Sequence, residues 1–177
     1  MKYLMFLKEK RCGKIKGRGC ADGRKQRLWK KKEETTSPTI STKALFLMCL
    51  IIAKERRHVI STDIPGAFMQ SDIDELIHVK LEGEIADLLI RRDPSYKKYV
   101  TRENGKTVIY TELQKALYGT LQAAALFWKD LTKFLVDDLG FIVNPHDLCV
   151  ANKTINGNQC TIGTLMVSSF HMLKRAW

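Results

Sequence analysis

The sequence predicts an α+β fold in which antiparallel hairpins pack with helices. Three observations lead there. Asn104-Gly105 and Asn156-Gly157 each sit between short strand-like runs, and Asn-Gly is the strongest two-residue hairpin signal. Residues 42–56 and 113–139 carry apolar residues over lengths that suit helices better than strands. Helical and strand-like segments follow one another without an internal repeat or a regular strand–helix–strand alternation. The 177 residues suffice for one domain with a real core, and 45% apolar with 28% charged residues is ordinary globular composition.

The elements follow in chain order. Residues 11–32 hold four glycines among many cations, which favours turns and loops over a helix. Ser37-Pro38 breaks the chain, and Ser41 is placed to cap a helix over 42–56. Apolar residues run nearly all round that helix, which predicts deep burial. His58 to Thr62 and Ile77 to Leu81 read as short strands, and Glu84 to Ile90 as a short helix. Tyr99 to Glu112 reads as the first hairpin. Leu113 to Leu139 reads as a helical segment interrupted near Gly119, with Ala123, Ala124, Phe127, Leu131, Phe134 and Leu135 as its apolar stripe. Gly140 is placed to end it. Phe141 to Val143 starts a strand, and Leu148–Ala151 with Gln159–Ile162 flank the second Asn-Gly turn.

Charge is distributed unevenly. The chain carries +11, yet residues 33–177 hold seventeen acids and seventeen Lys/Arg. The whole excess lies in the first 32 residues, with thirteen Lys/Arg against Glu9 and Asp22. Such a segment suits a polyanion, most simply nucleic acid, or is a solvated tail. Five cysteines form no CxxC pair, which points to free thiols in a reducing compartment. No segment has the length of a signal peptide core or a membrane span. The expected location is therefore intracellular, cytoplasm or nucleus, with no membrane partner.

Three places carry candidate chemistry. Asp63 ends the strand-like HVIST run just before a Pro-Gly turn. A carboxylate on a rigid strand end suits metal-dependent phosphoryl transfer, and an Asp that starts a turn has the same appearance. In LQKALYGTLQAAALFW, Gln122 lies among small residues that let a nucleotide or another backbone approach, and a core helix containing a Gly reads the same way. Lys16 and Arg18 are spaced to share one face of a strand. Asp72, Asp74 and Glu75 read as a solvated acidic loop.

The order of these features resembles the reverse transcriptase domain of copia-type LTR retrotransposon polyproteins. The matching stretches are KGRGCADGRKQR (16–27), SPTISTKALFLMCLIIA (37–53), STDIPGAFMQSDIDELIHVKLEG (61–83), LQKALYGTLQAAALFW (113–128) and LGFIVNPHDLCVANK (139–153). The resemblance implies a right-hand polymerase core, fingers plus part of the palm. It implies an RNA-directed DNA polymerase with Mg²⁺ as cofactor, and an RNA or DNA template-primer and dNTPs as partners. Asp63 falls on the first metal-binding aspartate, with the Ile64 carbonyl as a second ligand. Phe68 falls on the bulky gate that rejects a 2′-OH. Gln122 falls on a residue touching the incoming nucleotide, and Lys16 and Arg18 on finger residues near its phosphates.

The family's second acidic element, an adjacent aspartate pair, is expected near residue 166. The chain instead reads TIGTLMVSSFHMLKRAW, with no Asp or Glu after Ile162. Read one base early, the codons from Ile162 onward can encode Trp-Tyr-Ile-Asp-Gly-Phe-Lys, which points to a frameshift. The expected organisation is thus a basic Gly-rich arm or finger segment (1–36), a fingers/palm core (37–162) and an aberrant tail (163–177). The palm sheet is expected to lack its completed central hairpin, leaving an open edge. The thumb and RNase H-like region are expected to be absent. These features predict a truncated, catalytically incomplete polymerase. The alternatives are a non-catalytic nucleic-acid-binding module that uses the basic arm, and an interaction domain without a nucleic-acid role.

Overall fold

The computed structural model describes residues 1–165 and 169–174. In chain order the elements are β1 (Tyr3–Glu9), β2 (Ile15–Ala21), α1 (Lys32–Thr35), α2 (Thr42–Glu55), β3 (His58–Thr62), β4 (His78–Glu82), α3 (Glu84–Arg92), β5 (Thr101–Glu103), β6 (Lys106–Glu112), α4 (Ala123–Lys133), β7 (Ile142–Asn144), β8 (Asp147–Ile155), β9 (Asn158–Leu165) and β10 (Ser169–Lys174). Short 3-10 turns cover Gly23–Leu28, Ala67–Gln70 and Pro94–Tyr99, and a π turn covers Phe134–Asp138. Helices and antiparallel sheets are mixed, as an α+β fold requires. The chain divides into two units, Met1–Thr35 with Phe68–Ala123, and Thr36–Ala67 with Ala124–Trp177.

The first unit contains the β1–β2 hairpin and the three-stranded sheet β4-β6-β5. Asn104 and Gly105 both take positive φ, 50° and 75°, as the tight turn between β5 and β6 demands. Val79, Val108, Ile109 and Ala86 are fully buried and bring α3 onto this sheet. The glycine-rich segment contains strand β2 over Ile15–Ala21, with turns on either side of it. Gly17 and Gly19 pair with Leu7 and Met5 of β1, and at Gly19 the Tyr3 side chain occupies the space that a Cβ would need.

The second unit contains a five-stranded sheet in the order β3-β10-β9-β8-β7. Its core gathers Leu135, Phe141, Ala151, Cys160 and Ile162, with Leu131 packed beside them. Met48 of α2 joins Val150, flanked by Ile40, Ala44 and Ile52. Ser41 caps α2 as expected, its Oγ accepting from the Ala44 N–H at 3.1 Å. Its own N–H donates to Asp147 Oδ2 at 2.8 Å, which ties the helix start to β8.

Four expectations are corrected. Helix α2 is not deeply buried: Met48 is buried, whereas Phe46, Leu47 and Leu50 are exposed. A helix apolar on all sides still offers one face to one sheet. Residues 113–122 are turns and bridging backbone, so the long helical segment begins at Ala123. Phe134 leaves the apolar stripe: it opens the π turn and is exposed there, while Leu135 stays buried as expected. Finally, the edge of β9 is not left open. Ser169–Lys174 pairs with β9 and with β3, Phe170 lying opposite both Thr164 and Thr62. Strand pairing needs backbone groups and not acids, so a tail without carboxylates still covers it.

Candidate functional site

Within the second unit, β3 delivers Asp63 one residue beyond Thr62. Gly66, at φ 62°, turns the chain immediately afterwards. Asp63 is exposed and Ile64 half-buried. Among the described residues, the Asp63 carboxylate has no ion-pair or hydrogen-bond partner. The position expected for the paired aspartates, near residue 166, lies outside the described residues.

A two-magnesium cage needs several carboxylates converging on ions roughly 3.5–4 Å apart, and among the described residues no such set gathers at Asp63. Asp147 is the last acid in the chain. Its two oxygens already accept from the backbone N–H groups of Ser41 and Cys149, at 2.8 and 3.0 Å. Among the described residues, no three His, Cys, Asp or Glu side chains are grouped so as to hold a metal.

The first unit holds the other four predicted residues. Lys16 and Arg18 lie on β2, where direct cross-strand partners share a face. The pairs Lys8↔Lys16 and Phe6↔Arg18 therefore put three cations and an aromatic ring on one side of the hairpin. All four are exposed, and Phe6 keeps 59% of its surface. Among the described residues, none of Lys8, Lys10, Arg11, Lys14, Lys16 and Arg18 has a carboxylate partner. By contrast Arg24 is held by Asp22, whose two oxygens accept from its Nε and Nη2 at 2.8 and 2.6 Å. The guanidinium draws the Asp22 carboxyl down to about 2.

Phe68 opens out of a 3-10 turn, and its ring meets that of Tyr118 with centroids 4.4 Å apart and planes tilted by 44°. Tyr118 is anchored through its carbonyl, which accepts from the Ala21 N–H at 2.7 Å. The next residue, Gly119, has φ 92°, and a Cβ there would run into the Ala21 carbonyl. The end of β2 and the LYGT segment are thus in backbone contact.

Gln122 is 1% exposed and lies in a polar cluster that the sequence did not disclose. Its Nε2 donates to Glu75 Oε1 at 2.7 Å, and its Oε1 accepts from Gln26 Nε2 at 2.8 Å. Gln26 is fully buried, reaches the same Glu75 oxygen at 3.2 Å, and accepts from the Leu121 N–H at 2.9 Å. Lys30 closes the cluster with Nζ 3.0 Å from Glu75 Oε2. Glu75 is therefore a structural hub and not part of a solvated loop. Asp72 does lie at the surface, paired with Lys115 at 2.5 Å. One signal was present for Gln26: an uncharged amide in a run of cations, three residues after a glycine.

Among the described residues, no helix is long and apolar enough to cross a membrane. A family model for reverse transcriptase (RNA-dependent DNA polymerase) matches residues 2–172. No curated protein and no solved structure gives a significant match. A match over nearly the whole length, including the blocks that hold Asp63 and Gln122, places the chain in the reverse transcriptase (RNA-dependent DNA polymerase) family, the one typical of copia-type elements.

Proposed function

We propose that this chain is a polymerase core that holds nucleic acid through its β1–β2 hairpin and does not by itself transfer nucleotides. In this reading the first unit corresponds to fingers and the second to part of a palm. The observation that carries it is the unpartnered basic face of the hairpin. Lys8 and Lys16 stand directly opposite each other with Arg18 on the same side. Like charges directly opposite in a ladder repel, and a phosphate backbone relieves that repulsion.

Family membership implies use of a template-primer and dNTPs. Asp63 with the Ile64 carbonyl takes the place of a magnesium anchor, Phe68 that of a sugar gate, and Lys16 and Arg18 that of phosphate-binding cations. A nucleotide contact from Gln122 requires its bonds to Glu75 and Gln26 to open first. The incomplete donor set argues against catalysis. Primer extension on an RNA template with Mg²⁺ and dNTPs should give no product above background. Product that disappears in Asp63→Asn would overturn that part.

Binding is tested separately. The full chain should bind labelled RNA more weakly as salt rises, and K16E/R18E should bind more weakly still. The reversal should also flatten the log–log salt slope by about 0.7 for each single-strand phosphate no longer neutralised. Unchanged affinity and slope in this variant would refute the hairpin as the binding surface.

A further inference from the structure

We propose a second nucleic-acid contact on the first unit, at the reversal that follows α3, where four cations and two tyrosines form a surface for an unpaired strand. Residues 91–102, RRDPSYKKYVTR, hold five cations against the single acid Asp93. Helix α3 ends at Arg92, the Pro94–Tyr99 turn packs back against it, and β5 begins at Thr101. Arg91, Arg92, Lys97 and Lys98 are all exposed, and the packing of the turn on α3 brings the two pairs near each other in the fold.

The one acid is already engaged. Asp93 accepts from the Ser95 N–H at 3.0 Å, and these bonds to Ser95 hold its carboxyl below the usual range. Among the described residues, none of the four cations has a carboxylate partner. The neighbouring sheet shows that acids are placed where cations are to be neutralised. Lys80 lies 2.7 Å from Glu103, and Lys106 lies 3.2 Å from Glu82. A helix C-terminus alone accounts for Arg91 and Arg92. It does not account for Lys97 and Lys98, which lie beyond the helix.

The tyrosines indicate what kind of polyanion fits. Tyr99 keeps 56% of its surface exposed, and Lys98 Nζ stands 4.8 Å from its ring centroid. Tyr96 supports it from 6.5 Å, with the ring planes at 59°. With Lys98 over one face of the half-exposed ring, the other face is left for stacking next to a phosphate-binding charge, which an unpaired base can use and a stacked duplex base cannot. The surface therefore suits single-stranded RNA or DNA. It lies on different elements from the β1–β2 hairpin and does not require that hairpin to bind.

The test uses the full chain and labelled oligo-U and oligo-dT of about twelve nucleotides, a length within the range one small domain covers. R91E/K97E/K98E should weaken binding at least tenfold at low salt and reduce the salt slope by about 0.7 for each phosphate that the variant leaves unneutralised. Tyr99→Leu keeps the apolar bulk and removes the π face. It should weaken single-strand binding about fivefold or more and leave duplex binding unchanged. Should the triple reversal disturb the circular dichroism spectrum, K97Q/K98Q removes charge without reversing it and should still lower the slope. Unchanged affinity and slope in the charge variants would overturn the proposal. So would a loss confined to the binding of anionic lipid vesicles. K16E/R18E, measured in parallel, separates the two surfaces: binding abolished only there refutes this site, and binding abolished only in R91E/K97E/K98E refutes the hairpin.

Discussion

Gly119→Ala is expected to destabilise the first unit by about 2–4 kcal/mol. Two costs combine. At φ 92° an L-residue is strained, a cost of about 1 kcal/mol or more. The added methyl also meets the Ala21 carbonyl, which belongs to backbone and not to a flexible side chain. Overpacking of that kind costs about 1–3 kcal/mol. The backbone cannot retreat freely, because the Ala21 N–H is bonded to the Tyr118 carbonyl at 2.7 Å. Gly23 also faces the Gly119 carbonyl, so there is no slack on that side. Gly105→Ala provides the comparison. Its φ is 75°, but a Cβ there meets open space, so it should carry the strain alone. Urea unfolding, with hydrogen exchange of the buried β6 amides of Val108 and Ile109 as the reporter for this unit, measures both. If Gly119→Ala costs no more than Gly105→Ala, the close approach of the two backbone segments is wrong.

The same close approach explains what the sequence could and could not disclose. Turns and caps are local chemistry, so Asn104-Gly105, Asn156-Gly157, Ser41 and Gly140 were legible one residue at a time. Asp63 at a strand end was legible because β-branched residues followed by Pro-Gly define the strand and its stop. The segment 113–122 was not legible. Its apolar spacing is helical, but Gly119 sits at positive φ against another strand, and that partner lies about a hundred residues earlier in the chain. The face of α2 was hidden for a related reason. Composition states how apolar a helix is, not how many neighbours it has, and Phe46, Leu47 and Leu50 stay exposed. Glu75 shows the same limit for polar groups. A carboxylate beside Asp72 and Asp74 looks solvated until Gln26, Lys30 and Gln122 are brought to it from 49, 45 and 47 residues away.

Glu75→Leu is the other substitution with a large expected effect, about 2–4 kcal/mol. One oxygen of Glu75 accepts from two buried amides, at 3.2 Å from Gln26 and 2.7 Å from Gln122. The other faces Lys30 at 3.0 Å. Leucine removes the short acceptor of Gln122 Nε2 and one of the two acceptors of Gln26 Nε2, which keeps Gln122 Oε1, and a lost buried partner costs about 1–3 kcal/mol. The ion pair keeps some water, with side-chain exposures of 13% for Lys30 and 26% for Glu75, so its share falls short of a fully buried pair. Glu75→Gln should cost less, about 1–2 kcal/mol, because its carbonyl can still accept from both amides while its NH₂ meets the Lys30 ammonium donor to donor. Lys30 adds a pH dependence. Burial pulls its ammonium down, the hydrogen bond and charge of Glu75 more than offset this, and the net shift is upward from 10.5. Its contribution is therefore complete below about pH 10 and is lost as pH climbs past the raised value. In Glu75→Leu that alkaline loss should disappear. Gln26→Leu combined with Glu75→Leu should cost less than the two singles added, because both remove the same bonds. Strict additivity in that double-mutant cycle would mean that Gln26 and Glu75 do not share a network.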